Sequence, residues 1–150
     1  MFDDVKDLYQ DIILRHGRNP VHMRRLAPYD AASKGDNPMC GDRCEVRVRL
    51  APNGNLQEIA FEARGCAISM ASADLMAEVL TNRTQAEARQ LAADFAILAK
   101  TGRTESQDPA IETLKPLSGV SDYPSRVKCA VLPWAALTAA LDGVQESTSE

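Results

Sequence analysis

The chain has 150 residues, with 17 Lys and Arg against 21 Asp and Glu, for a formal net charge of −4. That acidity excludes the basic face expected of a nucleic-acid-binding domain and disfavours an anionic membrane surface as partner. The length fits one domain that buries its core without covalent staples, and alanine's 22 of 67 hydrophobic residues point to closely packed helices.

The N-terminus, Met1-Phe2-Asp3-Asp4-Val5-Lys6-Asp7, is acidic where a signal peptide is basic. Residues Asp3 to His16 read as an amphipathic helix, with Val5, Leu8, Tyr9, Ile12 and Ile13 on one face at period 3.6. Asp3 or Asp4 is placed to cap it and Gly17 to end it. Arg18 to Pro38 is loop-rich, with Pro20, Pro28, Gly35 and Pro38, and has room for one short strand. A hairpin follows. Cys44, Val46, Val48 and Leu50 alternate with charged residues, Pro52-Asn53-Gly54-Asn55 supplies a turn, and Ile59, Phe61 and Ala63 alternate in the return strand. Each strand has one apolar and one charged face, as in an antiparallel sheet packed on one side.

From Ala67 the period becomes helical, with Ile68, Ala71, Leu75, Met76 and Val79 in one stripe. A second helix spans Thr84 to Lys100, opened by a Thr84/Glu87 capping-box pattern and closed by Gly102. Ile111, Leu114 and Leu117 suggest a short helix after Pro109. The last helix spans Ser125 to Asp142, with Val127, Val131, Trp134, Leu137 and Leu141 inward and Pro133 bending or breaking it. Gln145 to Glu150 reads as a disordered polar tail, so residues 1–144 form the single expected domain. Strands are grouped and not interleaved with helices. The expected fold is therefore α+β: a small antiparallel sheet of about three strands with helices packed on one face.

The most apolar stretch, Cys129 to Leu141, is 13 residues long and holds Pro133 and Thr138, too short for a span that needs about 20. The expectation is a soluble, cytoplasmic protein. There thiols stay reduced, and the four cysteines read as metal ligands or reactive groups sooner than as disulfides. Cys40 lies in a Pro/Gly-flanked loop, Cys66 where the second hairpin strand turns into a helix, and Cys129 in the first turns of the last helix. From such boundaries side chains can converge at one end of the sheet. Soft thiolates select zinc, cuprous copper or iron–sulfur clusters, and Asp42 is a ready carboxylate from the Cys40 loop. The spacing Cys40-x25-Cys66-x62-Cys129 lacks the paired knuckles of structural zinc sites, and a cysteine is also a small buried hydrophobe. Cys44 falls on the apolar strand face and reads as core. His16 and His22, near the end of the first helix, read as exposed or capping residues. Arg126 and Lys128 place two cations beside Cys129, which favours thiolate.

The runs Asn37-Pro38-Met39-Cys40-Gly41-Asp42, Gly65-Cys66-Ala67-Ile68-Ser69 and Arg126-Val127-Lys128-Cys129 together resemble the U-type iron–sulfur assembly proteins, the IscU/SufU family. The scaffold branch carries a histidine just before the third cysteine. Here that slot is Lys128, and the segment between Cys66 and Cys129 is longer, both of which look like the SufU branch. The resemblance implies one zinc ion held by Cys40, Asp42, Cys66 and Cys129. It implies a sulfurtransferase-like carrier that takes sulfur as a persulfide on Cys40 from a SufS-type, pyridoxal-phosphate cysteine desulfurase and serves downstream iron–sulfur scaffold proteins. Arg126 would stabilise the freed thiolate or persulfide. The competing readings are a scaffold building a transient iron–sulfur cluster on the same cysteines, a structural zinc module, and a cysteine hydrolase, which lacks a base.

Overall fold

The computed structural model describes residues 5–38 and 41–148. In chain order the elements are α1 (Val5–Arg18), β1 (Ala31–Asn37), β2 (Asp42–Leu50), β3 (Leu56–Arg64), α2 (Ala67–Leu80), α3 (Gln85–Thr101), α4 (Ala110–Leu114), a 3-10 segment (Lys115–Asp122), α5 (Pro124–Leu141) and β4 (Glu146–Thr148). The first three strands form an antiparallel meander, and β4 joins β1 in parallel, giving the order β3-β2-β1-β4. The expected α+β class holds, with three antiparallel strands at its centre.

The meander follows the period-2 pattern. Cys44, Val46 and Val48 of β2 and Ile59 and Phe61 of β3 are buried on the face that meets the helices. The other face is not simply solvated. Residues 22–24 pair along the edge of β3, where Arg24 N–H donates to Phe61 O at 3.0 Å and Phe61 N–H donates to His22 O at 3.2 Å, and the chain that follows lies against this face. Arg47 donates to the Leu26 carbonyl at 3.1 Å and sits 4.5 Å over the Tyr29 ring. Ala60, opposite Arg47 in the register, is fully buried.

Helix α5 packs on β1 and β2, α2 packs on α5 and β3, and α1 packs on α2. Small residues, among them Ala71, Ser72 and Ala73 of α2 and Ala130 and Ala136 of α5, are buried in these helices. Phe95 of α3 stacks on Trp134 of α5 with centroids 4.7 Å apart, and the Trp134 indole N–H donates to Ser72 Oγ at 3.1 Å. Thr84 and Glu87 cap α3 reciprocally, and Gly102, at φ 84°, closes it.

Several local expectations change. Gly17 does not end α1, which continues to Arg18. A Cβ at Gly17 would lie 3.0 Å from both the Cβ and the carbonyl oxygen of Ala67, so this glycine serves the close approach of α1 to the start of α2. The capping residues Asp3 and Asp4 lie outside the described residues. Helix α5 runs unbroken through Pro133, which removes one backbone N–H donor from the helix without ending it. The deepest face of α5 is Cys129, Ala130, Leu132, Pro133, Trp134, Ala136, Leu137 and Ala140, while Val127, Val131 and Leu141 are only partly buried, because the sheet and two helices cover it from several sides. Residues 146–148 are not a loose tail. Gly143, at φ 77°, turns the chain back from α5, and Lys34 N–H donates to Gln145 O at 2.9 Å. Among the described residues, no helix is long and apolar enough to cross a membrane.

Candidate metal centre

Asp42 opens β2, at the mouth of the β1–β2 hairpin, paired in register with Asn37 at the end of β1. The loop between them closes through a hydrogen bond from Gly41 N–H to Asn37 O at 2.8 Å, with Gly41 at φ 78°. Cys66 follows β3 as the N-cap residue of α2, in an extended conformation. Cys129 reaches the same place from the second turn of α5. One oxygen or sulfur from each of Asp42, Cys66 and Cys129 lies within 4.8 Å of the others. Three distant parts of the chain thus converge at the end of the sheet, as the boundary positions of the cysteines predict. Cys40 lies outside the described residues.

The contacts within this group are specific. Cys66 N–H donates to Asp42 Oδ1 at 3.1 Å, and the Cys66 thiol donates to Oδ2 at 3.4 Å. Asn37 Nδ2 approaches Cys129 Sγ at 3.9 Å, and Cys129 Sγ is 3.6 Å from Ser125 O. Asp42 and Cys129 are 3% and 1% exposed, whereas Cys66 is half-buried and forms the open side. The α2 N-terminus adds its unpaired N–H groups and positive dipole end beside Cys66, favouring negative charge there. Arg126 stands at the rim. The Cys66 sulfur by charge, and the Cys129 sulfur by hydrogen bonding and charge, raise the pKa of its guanidinium above the ordinary arginine value. Arg126 is exposed, so water screens this interaction.

The donor chemistry fits a thiophilic divalent cation. Tetrahedral zinc, with Zn–S near ~2.3 Å and Zn–O near ~2.0–2.2 Å, sets its donors roughly 3.5–3.8 Å apart. The Cys66 Sγ to Asp42 Oδ2 separation of 3.4 Å is already close to that. Two thiols and one carboxylate leave one of four positions for a further ligand. Among the described residues, neither Cys66 nor Cys129 is joined in a disulfide.

Cys44 stays out of the group. It is 2% exposed in the hydrophobic core, and burial, with Glu45 adding to it, pushes its thiol up to about 12. The histidines also stay out, but His16 is not a simple exposed or capping residue. Its Nδ1 lies 2.6 Å from Asp74 Oδ2, and His22 N–H donates to Asp74 Oδ1 at 2.8 Å. Asp74, 1% exposed, is thereby paired across the α1–α2 contact. Asn37 and Gly65 are site residues that spacing arguments pass over. Both sit inside the quoted motifs, and only three-dimensional contact gives them a role.

A family model described as the NifU-like N terminal domain matches residues 8–130. A relative from Bacillus subtilis strain 168, named zinc-dependent sulfurtransferase SufU, is 34% identical over 131 residues, covering 87% of this chain and 86% of its own. One from Streptococcus pyogenes serotype M1, named iron–sulfur cluster assembly scaffold protein IscU, is 31% identical over 134 residues, covering 89% and 82%. A crystal structure of a candidate iron–sulfur cluster assembly scaffold for the SUF system, from Fervidobacterium islandicum AW-1, superposes with a TM-score of 0.81 at 26% identity, covering 92% of this chain and 99% of that one. The matched segment contains all three converging donors and the three cysteine motifs. The family suggested by those motifs is the family found: the chain belongs to the NifU-like N-terminal domain family of iron–sulfur cluster assembly proteins.

Proposed function

We propose that the protein is a zinc-dependent sulfur carrier for iron–sulfur cluster assembly, with Cys40, Asp42, Cys66 and Cys129 as the zinc ligands. The observation that carries this reading is the convergence of Asp42, Cys66 and Cys129 within 4.8 Å where β1 and β2 meet. Cys40 stands two residues before Asp42 in the sequence. The relative from Bacillus subtilis, named as a zinc-dependent sulfurtransferase, supports the same reading.

The donor is a SufS-type cysteine desulfurase. Its active-site persulfide presents a terminal sulfur, and the Cys40 thiolate attacks that sulfur. One S–S bond forms at Cys40, the desulfurase S–S bond breaks, and the electron pair leaves on the desulfurase thiolate, so no external oxidant or reductant is needed. Bound zinc supplies one thing, which is thiols held deprotonated and shielded from oxidation until transfer. Arg126, beside the Cys66 and Cys129 sulfurs, would balance the negative charge of the thiolates or of a Cys40 persulfide. The sulfur then passes to downstream iron–sulfur scaffold proteins in the cytoplasm.

A second reading has a specific support. The Streptococcus pyogenes relative, similar over nearly the same length, is named as a scaffold, and the same donors could hold a nascent cluster. Purified protein, assayed for metal and then mixed with a SufS-type desulfurase and cysteine, separates the two. Bound zinc, stimulated alanine production and a protein one sulfur atom heavier at Cys40 support the carrier. A coloured protein holding iron and sulfide, without stimulation, supports the scaffold. Stimulation that survives Cys40→Ala would overturn the relay.

A further inference from the structure

Gly65 lies between β3 and the Cys66 cap of α2. A Cβ built on it would fall 2.5 Å from Asp42 Oδ1, 2.6 Å from Asp42 Cγ and 3.0 Å from Asp42 Cβ. The Asp42 carboxylate therefore occupies the space that any other residue's side chain would take at position 65. The backbone there does not sit in the left-handed region, so conformational freedom is not what glycine supplies. It supplies room.

That room has a chemical use. With no side chain at 65, Asp42 lies flat against the β3–α2 turn and accepts the Cys66 N–H on Oδ1. This commits one oxygen to the backbone and leaves Oδ2 facing the Cys66 sulfur at 3.4 Å. Asp42 cannot easily move aside. It is 3% exposed, its backbone is locked in the β1–β2 register, and rotating its carboxylate does not relieve the 3.0 Å approach to its own Cβ.

We propose that Gly65 is a positioning residue for the metal centre: its missing side chain seats the Asp42 carboxylate on the Cys66 amide, so that Asp42 offers a single oxygen, Oδ2, to the metal. This rests on the zinc reading above. A methyl group at 65 displaces the carboxylate, breaks the bond to Cys66 N–H and misplaces the oxygen donor relative to both sulfurs. Loss of a group that orients a metal ligand typically weakens binding by about 10–100-fold.

The test is a double-mutant cycle of Gly65→Ala and Asp42→Ala. Zinc affinity is read by competition with a chromophoric chelator, and the thermal midpoint of the metal-free protein is read in parallel. In the wild-type background Gly65→Ala should weaken zinc binding by about tenfold or more and lower the midpoint of the apoprotein. In the Asp42→Ala background the 2.5 and 2.6 Å approaches are removed and only the 3.0 Å approach to the Cβ remains, so Gly65→Ala should cost markedly less in both readouts than it does in the wild type. Cobalt substitution gives an independent view, since Gly65→Ala should lose the oxygen-donor contribution to the ligand-field bands while keeping thiolate charge transfer. Equal losses in both backgrounds, or zinc affinity untouched by Gly65→Ala, would overturn the proposal. If Gly65→Ala is insoluble, the double variant should restore solubility, and its failure to do so overturns the proposal as well. A wild-type protein that binds no zinc defeats the functional reading, and the apoprotein midpoints still decide the coupling between Gly65 and Asp42.

Discussion

Cys44 should behave as a chemically silent thiol in a protein whose other cysteines are expected to be reactive. It is 2% exposed, set among Val46, Val48 and the helices of the core, and burial raises its pKa from 9.0 to about 12. Only the thiolate alkylates at a useful rate. A shift of that size lowers the thiolate share at pH 8 by about a thousandfold before any steric protection is counted. The measurement is iodoacetamide labelling at pH 8, followed by peptide mass mapping, in native buffer and in denaturing urea. Cys44 should label in the native protein at least about a thousandfold more slowly than in urea. The same burial has a thermodynamic face. The folded thiol keeps its proton above the pH at which the unfolded thiol loses it, so the unfolded state binds fewer protons and stability falls as pH rises. The loss should approach about 1.4 kcal/mol per pH unit between roughly pH 9 and 12. Cys44→Ala should be less stable at neutral pH by on the order of 1 kcal/mol and should show a shallower alkaline decline. Native labelling within tenfold of the denatured rate, or identical alkaline slopes for the two proteins, would refute the reasoning.

Gly17→Ala sets helix propensity against packing. Alanine in a helix interior gains up to about 1 kcal/mol over glycine, but its methyl meets Ala67 at 3.0 Å, and overpacking typically costs about 1–3 kcal/mol. The variant should melt about 2–4 °C lower, and a higher melting temperature would show that α1 moves aside freely. Arg83 donates to both oxygens of Asp108 at 2.8 Å, which holds the Asp108 carboxyl below its ordinary value. Its folded pKa is depressed, so the pair's contribution is present above the unfolded value near ~3.9 and is lost as pH falls through the folded one. Asp108→Asn keeps an acceptor for the Ala110 N–H and should cost about 1 kcal/mol in urea titrations at pH 6, with the gap to wild type closing at pH 3; a gap that persists there would place its cause elsewhere.

Where sequence signals were local, they carried through to the structure. The β2–β3 hairpin, the Thr84/Glu87 capping box and the Gly102 stop depend on residues within one turn or one strand pair. Strand β1, with the run Ala31-Ala32-Ser33-Lys34-Gly35-Asp36-Asn37, has no β-branched or aromatic residue and gives little warning of itself. It is a strand because β2 offers it a ladder and α5 covers it. The pairing of His16 with Asp74 joins residues 58 apart, and no periodicity could link them. The candidate site divides the same way. Asp42, Cys66 and Cys129 are legible because each is a donor set in a short motif at an element boundary. Gly65 is not, because its contribution is an absence of atoms beside a residue from another strand.

Both outer edges of the three-stranded meander are partly covered by other segments of the chain. Residues 22–24 pair along the outer edge of β3, and Glu146–Thr148 pairs along that of β1. An open strand edge is a template onto which any extended peptide can add itself. Where these segments pair, the β1 and β3 backbone has fewer free groups to offer an incoming extended peptide, which favours recognition through side chains. Cutting the chain before Glu146 would uncover the Lys34–Asp36 ladder and turn the protein toward self-association.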